Sequence, residues 1–201
     1  MTTSSNNNNR IIKPEVLLQA YKQGYFPMAD SKEGEIYWHC PDPRAIIPLD
    51  NTNKPKSLKR NERKFDFEYR VDTNFEAVIT KCGERKDTWI SEEIIDTYLT
   101  LHRLGSAHSV ETYSNGKLVG GLYGVAIGGA FFGESMFNTQ TDAAKGAFYH
   151  LIDILKEKNF LLLDTQYINP FTQQLGAIEI SFMDYSKKLI KAINFATSFV
   201  D

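Results

Sequence analysis

Residues 119–137, VGGLYGVAIGGAFFGESMF, constrain this chain more than any other stretch. They read as two β-strands folded on Gly128-Gly129, with a second hairpin turn just upstream at Asn115-Gly116. Both dipeptides reach the positive φ that tight hairpin turns require. Glycines at 120, 121, 124, 128, 129 and 133 are too frequent for an ordinary strand pair, because each one weakens a strand. They are expected where something, such as a substrate, must come close to the backbone. At the far end, Glu134 and Ser135 sit among aromatic and apolar residues. A carboxylate in that setting is paired, exposed at a strand end, or used in chemistry.

Composition sets wide bounds. A chain of 201 residues holds one domain, or one domain with a small extension. A net charge of -2 argues against nucleic-acid binding by whole-molecule attraction, but it leaves room for a local basic patch. One such run spans 54–64, where six cations against the single carboxylate of Glu62 leave +5. Lys56, Lys59, Arg60, Arg63 and Lys64 recur at helical spacing and would share one face of a helix. That face is either solvated surface or a phosphate contact. Cys40 and Cys82 form no CxxC, and His39-Cys40 is too close for one arm of a zinc site, so no metal is expected. Two unpaired cysteines fit a reducing, cytoplasmic compartment. No secretory pattern opens the chain. No apolar run approaches the ~20 residues of a membrane span. Nothing demands a dimer, and a monomer is expected.

Read in order, residues 1–10 (MTTSSNNNNR) are expected to be disordered. The apolar spacing predicts helices over 14–23, 74–82, 91–104, 142–158 and 182–193, with a short one ending at Gly176. Strands are predicted over 36–39, 45–49, 65–71, 108–113, 117–126, 130–137, 160–168 and 177–180. In the turn Cys40-Pro41-Asp42-Pro43-Arg44, Asp42 is expected to cap or to pair with Arg44. The strand near 160 is continuously apolar at its start, as a central strand covered on both faces would be. The class is α+β. The expected division is a tail at 1–10, a smaller mixed domain at 11–88 and a second domain at 89–201, packed together.

No familiar nucleophile, zinc or nucleotide motif is present: there is no GxSxG, HExxH or Walker loop. Polar groups at the ends of apolar strands are Glu134, Asp164 and Gln166. Asp164 and Gln166 stand two apart on one strand, so their side chains are expected on one face. If the two strands are neighbours, the three groups converge. They could then orient and deprotonate an amine without a covalent intermediate. They could equally be a hydrogen-bonded network that closes a sheet.

Seven segments occur in a fixed order: GYFPMAD at 24–30, WHCPDPRAIIPLD at 38–50, TWI at 88–90, HSVE at 108–111, GGLYGVAIGGAFFGESMF at 120–137, LLDTQ at 162–166 and LGAIEI at 175–180. Together they closely resemble the bacterial leucyl/phenylalanyl-tRNA–protein transferase family, across about residues 14–185. The resemblance implies an acetyltransferase-like (GNAT) C-terminal domain. It implies transfer of Leu or Phe from charged tRNA to the N-terminal amine of a protein, most familiarly one beginning with Arg or Lys, which marks that protein for degradation. IIPLD at 46–50 and MAD at 28–30 depart from the best-known branch, so other donor or acceptor residues stay open. An acyl-coenzyme A N-acyltransferase is the alternative. Against it, the chain has no Q/RxxGxG/A loop to cradle a pyrophosphate at a helix start, and no cofactor is expected.

The same resemblance assigns Asp164 and Gln166 as a relay at the acceptor amine, with Glu134 orienting the amine or the aminoacyl end. Trp38 and Trp89 match family tryptophans that could stack on the terminal adenosine. Leu122, Phe131, Phe132, Met136 and Phe148 are the candidates for the apolar pocket of the donor side chain, where an adaptable Met suits both Leu and Phe; the alternative for most of them is a place in the core. Lys56, Lys59, Arg60, Arg63 and Lys64 correspond to the tRNA-contacting region. The expected partners are the acceptor end of aminoacyl-tRNA and the N-terminus of the protein substrate.

Overall fold

The computed structural model describes residues 12–85 and 88–200; the expected tail at 1–10 lies outside them. The chain begins with α1 (Pro14–Lys22) and the short hairpin β1 (Phe26–Met28) and β2 (Tyr37–His39). Next come β3 (Arg44–Ile47), α2 (Lys56–Phe65), β4 (Phe67–Val71), α3 (Phe75–Gly83) and α4 (Glu92–Arg103). A meander follows: β5 (Ala107–Ser114), β6 (Lys117–Ile127) and β7 (Ala130–Asn138). The last part holds α5 (Ala143–Glu157), β8 (Leu162–Gln166), α6 (Pro170–Gln174), β9 (Ile178–Ile180) and α7 (Phe182–Ile193). The sequence pattern anticipates nearly all of these, but β1 lies in a stretch it leaves unassigned.

Seven strands form one mixed sheet in the order β4-β5-β6-β7-β8-β3-β9. Among the described residues only β7 and β8 run parallel, and α5 is the crossover between them, as a parallel pair requires. β3 and β4 therefore stand in the same sheet as the meander, although both precede residue 89. One face buries Tyr123, Val125 and Phe132 under α1, α3, α4 and α7. The other buries Leu122, Phe131 and Leu163 under α5. This alternation along β6 and β7 is the period-two pattern of a strand.

Local signals explain the helix starts. Asn74, Ser91 and Ser181 each accept a backbone N–H from the first turn of α3, α4 and α7, which satisfies a donor that no helical carbonyl can reach. Buried Glu111 on β5 adds a second layer at α3, accepting from the backbone N–H groups of Thr73 and Asn74 and from the hydroxyls of Thr73 and Ser109.

Most glycines of the β6–β7 hairpin serve internal packing, which corrects the expectation that they admit a substrate; Gly133 alone among them has open space, an added Cβ meeting only the Asp164 carbonyl oxygen at 3.5 Å, and it lines the cavity described below. A Cβ on Gly120 would stand 2.6 Å from the Ala143 Cβ and 2.8 Å from its carbonyl carbon. One on Gly128 would stand 2.6 Å from the Ile193 carbonyl oxygen, where α7 ends against the hairpin. Helices press directly on the sheet backbone here. Gly120→Ala should force α5 off β6 and cost about 1–3 kcal/mol, as overpacking does; thermal unfolding would show it as a Tm lowered by roughly 2–4 °C per kcal/mol.

Candidate active site

β7 and β8 pair from Ala130↔Leu162 to Phe132↔Asp164 and then diverge. The site lies in this fork, and a bulge on each strand shapes it. On β7, Tyr123 pairs with Ser135 and Gly124 with Gly133, so Glu134 is the extra residue between them. On β8, Ala45 pairs with Gln166 and Ile46 with Asp164, so Thr165 is the extra residue. A bulge leaves one residue outside the ladder and re-aims its side chain. Gln166 also takes a positive φ of 66°, uncommon for a residue with a side chain.

A cavity of about 440 Å³ opens in the fork. Its polar wall holds Glu134, Ser135, Thr165 and Gln166; its apolar wall holds Met28, Ile47, Leu122, Met136, Phe148, Leu151, Leu163, Phe171 and Leu175; Trp89 and Arg85 also line it. An apolar pocket with a few convergent polar groups is the common form of a small-molecule site.

Glu134 is the hub of the hydrogen bonds on the polar wall. Its Oε1 accepts from Tyr21 Oη at 2.7 Å and from Gln166 Nε2 at 2.9 Å, and its Oε2 accepts from Tyr98 Oη at 3.0 Å. The two phenols also touch at 2.6 Å. Glu134, Tyr21 and Tyr98 thus form a triangle with three contacts. Two phenol protons fill two of them, so the third contact is filled only when Glu134 carries a proton. Burial pushes the Glu134 carboxyl up to about 7. The hydroxyls of Tyr21 and Tyr98 oppose that rise, nearby Asp164 adds to it, and Arg44 pulls the other way. Burial, and then the neighbouring Glu134, holds both phenols well above the usual tyrosine range.

Asp164 stands behind this centre rather than in it. Its carboxylate is fully buried. Oδ1 accepts from Arg44 Nε at 2.9 Å and from the Gln166 backbone N–H at 2.9 Å. Oδ2 accepts from Arg44 Nη2 at 2.7 Å and from Tyr185 Oη at 2.6 Å. These four bonds use the four acceptor positions a carboxylate offers. Asp164 touches the backbone of Gln166, while the carboxamide of Gln166 turns to Glu134. The expectation that both side chains share one face fails because the Thr165 bulge and the positive φ of Gln166 break the strand period. Arg44 is likewise not paired with Asp42, whose Oδ1 accepts from the Phe182 N–H of α7.

Of the other residues singled out in the sequence, Leu122, Met136, Phe148 and Trp89 line the cavity. Phe131 does not: it lies on the same sheet face as Leu122 but packs deeper in that core, 5.2 Å from the Phe199 ring. Trp38 lies on the β1–β2 hairpin and is 42% exposed, outside the cavity wall. Lys56, Lys59, Arg60, Arg63 and Lys64 do share the outer face of α2, around a shallow depression of about 460 Å³. Leu58 and Asn61 turn inward from the same helix.

Sequence reasoning missed Tyr21, Tyr98 and Tyr123, because tyrosines in an apolar helical or strand stripe look like core. Among the described residues, two buried hydroxyls have no hydrogen-bond partner, Tyr123 Oη and Thr165 Oγ1, and both residues line the cavity. No group of three or more metal-ligating side chains occurs among the described residues. No helix there is long and apolar enough to cross a membrane.

Comparison with known proteins gives this site a family. The model of the leucyl/phenylalanyl-tRNA protein transferase family matches residues 46–190, and the model of that family's N-terminal domain matches residues 11–42. The leucyl/phenylalanyl-tRNA--protein transferase of Gloeobacter violaceus is 50% identical over 188 residues, covering 94% of this chain and 97% of that one. The enzyme of the same name from Chlorobaculum tepidum is 49% identical, covering 94% of this chain and 100% of that one. Among solved structures, PaiA N-acetyltransferase from Thermoplasma acidophilum aligns with a TM-score of 0.33 and 14% identity, covering 47% of this chain and 76% of that one.

Two outcomes follow from the geometry. Arg44→Met should leave the Asp164 charge buried without its partner and cost about 3–5 kcal/mol, measurable by denaturant unfolding. Replacing both Arg44→Met and Asp164→Leu should recover much of that loss. The charge state of Glu134 should set an inflection near pH 7: below it the carboxyl is protonated and cannot accept a proton, above it the carboxylate can. Tyr21→Phe or Tyr98→Phe removes a bond that favours the charged form, so the inflection should move to higher pH; Glu134→Gln should abolish it. Stability carries the opposite sign, since the contribution of Glu134 is present at low pH and is lost as pH rises toward 7.

Proposed function

The chain belongs to the leucyl/phenylalanyl-tRNA protein transferase family, and on that premise we infer that it transfers leucine or phenylalanine from charged tRNA to the N-terminal α-amine of a protein. It is an aminoacyltransferase, and its product is a new peptide bond. The observation that carries the chemistry is Glu134, a carboxylate tuned to about 7 at the wall of an apolar cavity.

The donor is already an ester, so no nucleotide hydrolysis is required. The acceptor enters largely as an ammonium, since a terminal amine titrates at about 7.7–8.0. A base near 7 is well matched to take its proton at neutral pH. We assign that proton to Glu134; as the C–N bond forms and the ester C–O bond breaks, a second proton leaves the amine for the departing ribose oxygen of the tRNA. Gln166, hydrogen-bonded to Glu134, holds the amine against it. Asp164 is a positioning residue: it fixes the Gln166 backbone and through it the carboxamide, a role its four committed bonds leave open to it. As the ester carbon becomes tetrahedral, its oxygen gains charge, and donors aimed there lower the barrier. Tyr123 Oη and Thr165 Oγ1 are the candidates, because each is a buried hydroxyl without another partner.

The donor side chain fits the apolar wall at Leu122, Met136 and Phe148, and Trp89 offers a face for the terminal adenosine. The cationic face of α2 suits the phosphates of the tRNA stem and would attract them without reading sequence. Acceptors beginning with Arg or Lys suit a site whose cavity carboxylate is Glu134. The finer fold reading is an acetyltransferase-like core, supported by an antiparallel meander that runs through a helical crossover into one parallel strand and forks there. Within it, residues 89–201 carry the meander and β8, and residues 11–88 add Tyr21, Arg44 and the α2 cations. A monomer acting in the cytoplasm fits this reading.

Purified protein, tRNA charged with labelled Leu or Phe, and peptides beginning with Arg, Lys, Asp or Glu test the inference. Label should pass to the Arg and Lys peptides with no coenzyme A or nucleotide added, and Gln166→Ala should slow it by about 10²-fold or more, as losing a positioning contact does. Transfer only to Asp or Glu peptides would reassign the acceptor; wild-type rates in Gln166→Ala would remove that residue from the mechanism.

A further inference from the structure

α2 carries five exposed cations and one buried side chain, Leu58. Lys56 and Arg60, Lys59 and Arg63, and Arg60 and Lys64 are like-charge pairs one helical turn apart, and each such pair is destabilising. A single apolar anchor is a weak hold on a helix of this kind. We propose that Asn61 and Tyr69 are positioning residues for the tRNA: they lock α2 to α5, so that its cations meet the phosphates in one register with the fork. The proposal rests on the transferase reading and on the tRNA contact assigned to α2 above.

The lock has two halves. In one, Asn61 Nδ2 donates to Asp142 Oδ2 at 2.8 Å. In the other, Tyr69 Oη on β4 donates to Glu62 Oε1 at 2.6 Å. Lys54 Nζ, just ahead of the helix, donates to the same oxygen at 2.9 Å. Tyr69 in turn is wedged against α5. Its ring stacks on His150 with centroids 5.0 Å apart, and a Cβ on Gly146 would collide with its hydroxyl. Asn61 and Glu62 are half-buried, whereas every cation of the helix is exposed. The inward face is therefore held largely by hydrogen bonds. These are directional and fix an angle, which apolar contact does not.

Both halves end on the scaffold of the cavity. Asp142 closes the link 139–142 from β7 to α5, and β7 carries Glu134. The helix that holds Tyr69 through Gly146 and His150 also sends Phe148 and Leu151 into the cavity wall. A shift of α2 against α5 is therefore a shift of the phosphate contacts against the ester. Loose cations would still attract a polyanion, but phosphate contacts set register and orientation only when they are held in place. A donor without the body of a tRNA would not sense the lock.

The test compares charged tRNA with aminoacyl-adenosine as donors in the wild type, Asn61→Ala, Tyr69→Phe and the double variant, none of which changes a charge. Each single variant should lower kcat/KM for tRNA by about threefold to tenfold, the range that one hydrogen bond spans, and the double variant should lower it further. For aminoacyl-adenosine kcat/KM should stay within about twofold of the wild type. Lys59→Met checks the contact itself: it should lower kcat/KM for tRNA and reduce its salt slope by about one. An unchanged tRNA value in the double variant, beside a lowered one in Lys59→Met, would overturn the lock and leave the transferase reading intact. An equal loss with both donors would overturn it too, since general destabilisation would then account for the effect. No effect of Lys59→Met would remove the tRNA contact and the lock with it. No transfer from charged tRNA in the wild type would overturn the transferase reading itself.

Discussion

Arg44 and Asp164 meet at the one point where the parts of the chain are tied together. Arg44 is fully buried. It donates twice to Asp164 on β8 and once to the Gly24 carbonyl at the end of α1, and its guanidinium lies 4.8 Å from the Phe26 ring and 4.7 Å from the Tyr185 ring. β3, β8, the first helix and the last helix thus share one charge pair. A buried ion pair is weak evidence for stability in itself, because desolvation offsets much of the attraction. Its value here is positional. With Arg44 in place the Asp164 carboxylate is saturated, and a saturated carboxylate fixes the Gln166 backbone in a conformation the residue would not adopt alone.

That conformation makes the fork a site. Two strands of a parallel pair would ordinarily stay in register and close the sheet. Here each strand carries one extra residue beyond the last shared pair, and the extra residues are Glu134 and Thr165. The sheet opens where its polar side chains are concentrated, and the opened backbone is lined with apolar side chains from α5, α6 and the core. The low polarity of the wall and the tuning of Glu134 have one cause, since the burial that suits an apolar aminoacyl group also disfavours the charged carboxylate.

Much of this was legible in the sequence, and the exceptions have physical reasons. Helices and hairpins carried clear periodicity and turn residues, so the meander and α5 could be read directly. Glu134, Asp164 and Gln166 stood out as polar residues ending apolar strands, and the structure brings them together. Their division of labour was hidden because it depends on bulges, and a bulge leaves no mark in a period-two pattern. Phe131 and Leu122 look equally apt for a pocket in the sequence and share one sheet face; Leu122 stands opposite Met136 at the fork, while Phe131, nearer the hairpin turn, packs on Phe199. Tyr21 and Tyr98 come from helices distant in the chain, and an aromatic in a buried stripe gives no sign that its hydroxyl has a partner. Arg44 was read as a local turn residue because its partner lies far along the chain.

The place of β3 in the sheet also governs the order in which the molecule can assemble. β3 emerges third among the strands, yet both of its neighbours, β8 and β9, lie more than a hundred residues later. Until those residues arrive, each edge of β3 is an unpaired row of backbone donors and acceptors, and Arg44 has no counter-charge. Long-range pairing of this kind slows folding, since loop closure must be paid for before any contact rewards it. The meander β5–β7 is built from adjacent hairpins and can form first. The fork then closes in a late step, when α5 delivers β8 into the gap between β7 and β3. Closure of the fork and completion of the sheet therefore depend on the same strand, β8, and without it Glu134 would lose the burial that raises its carboxyl.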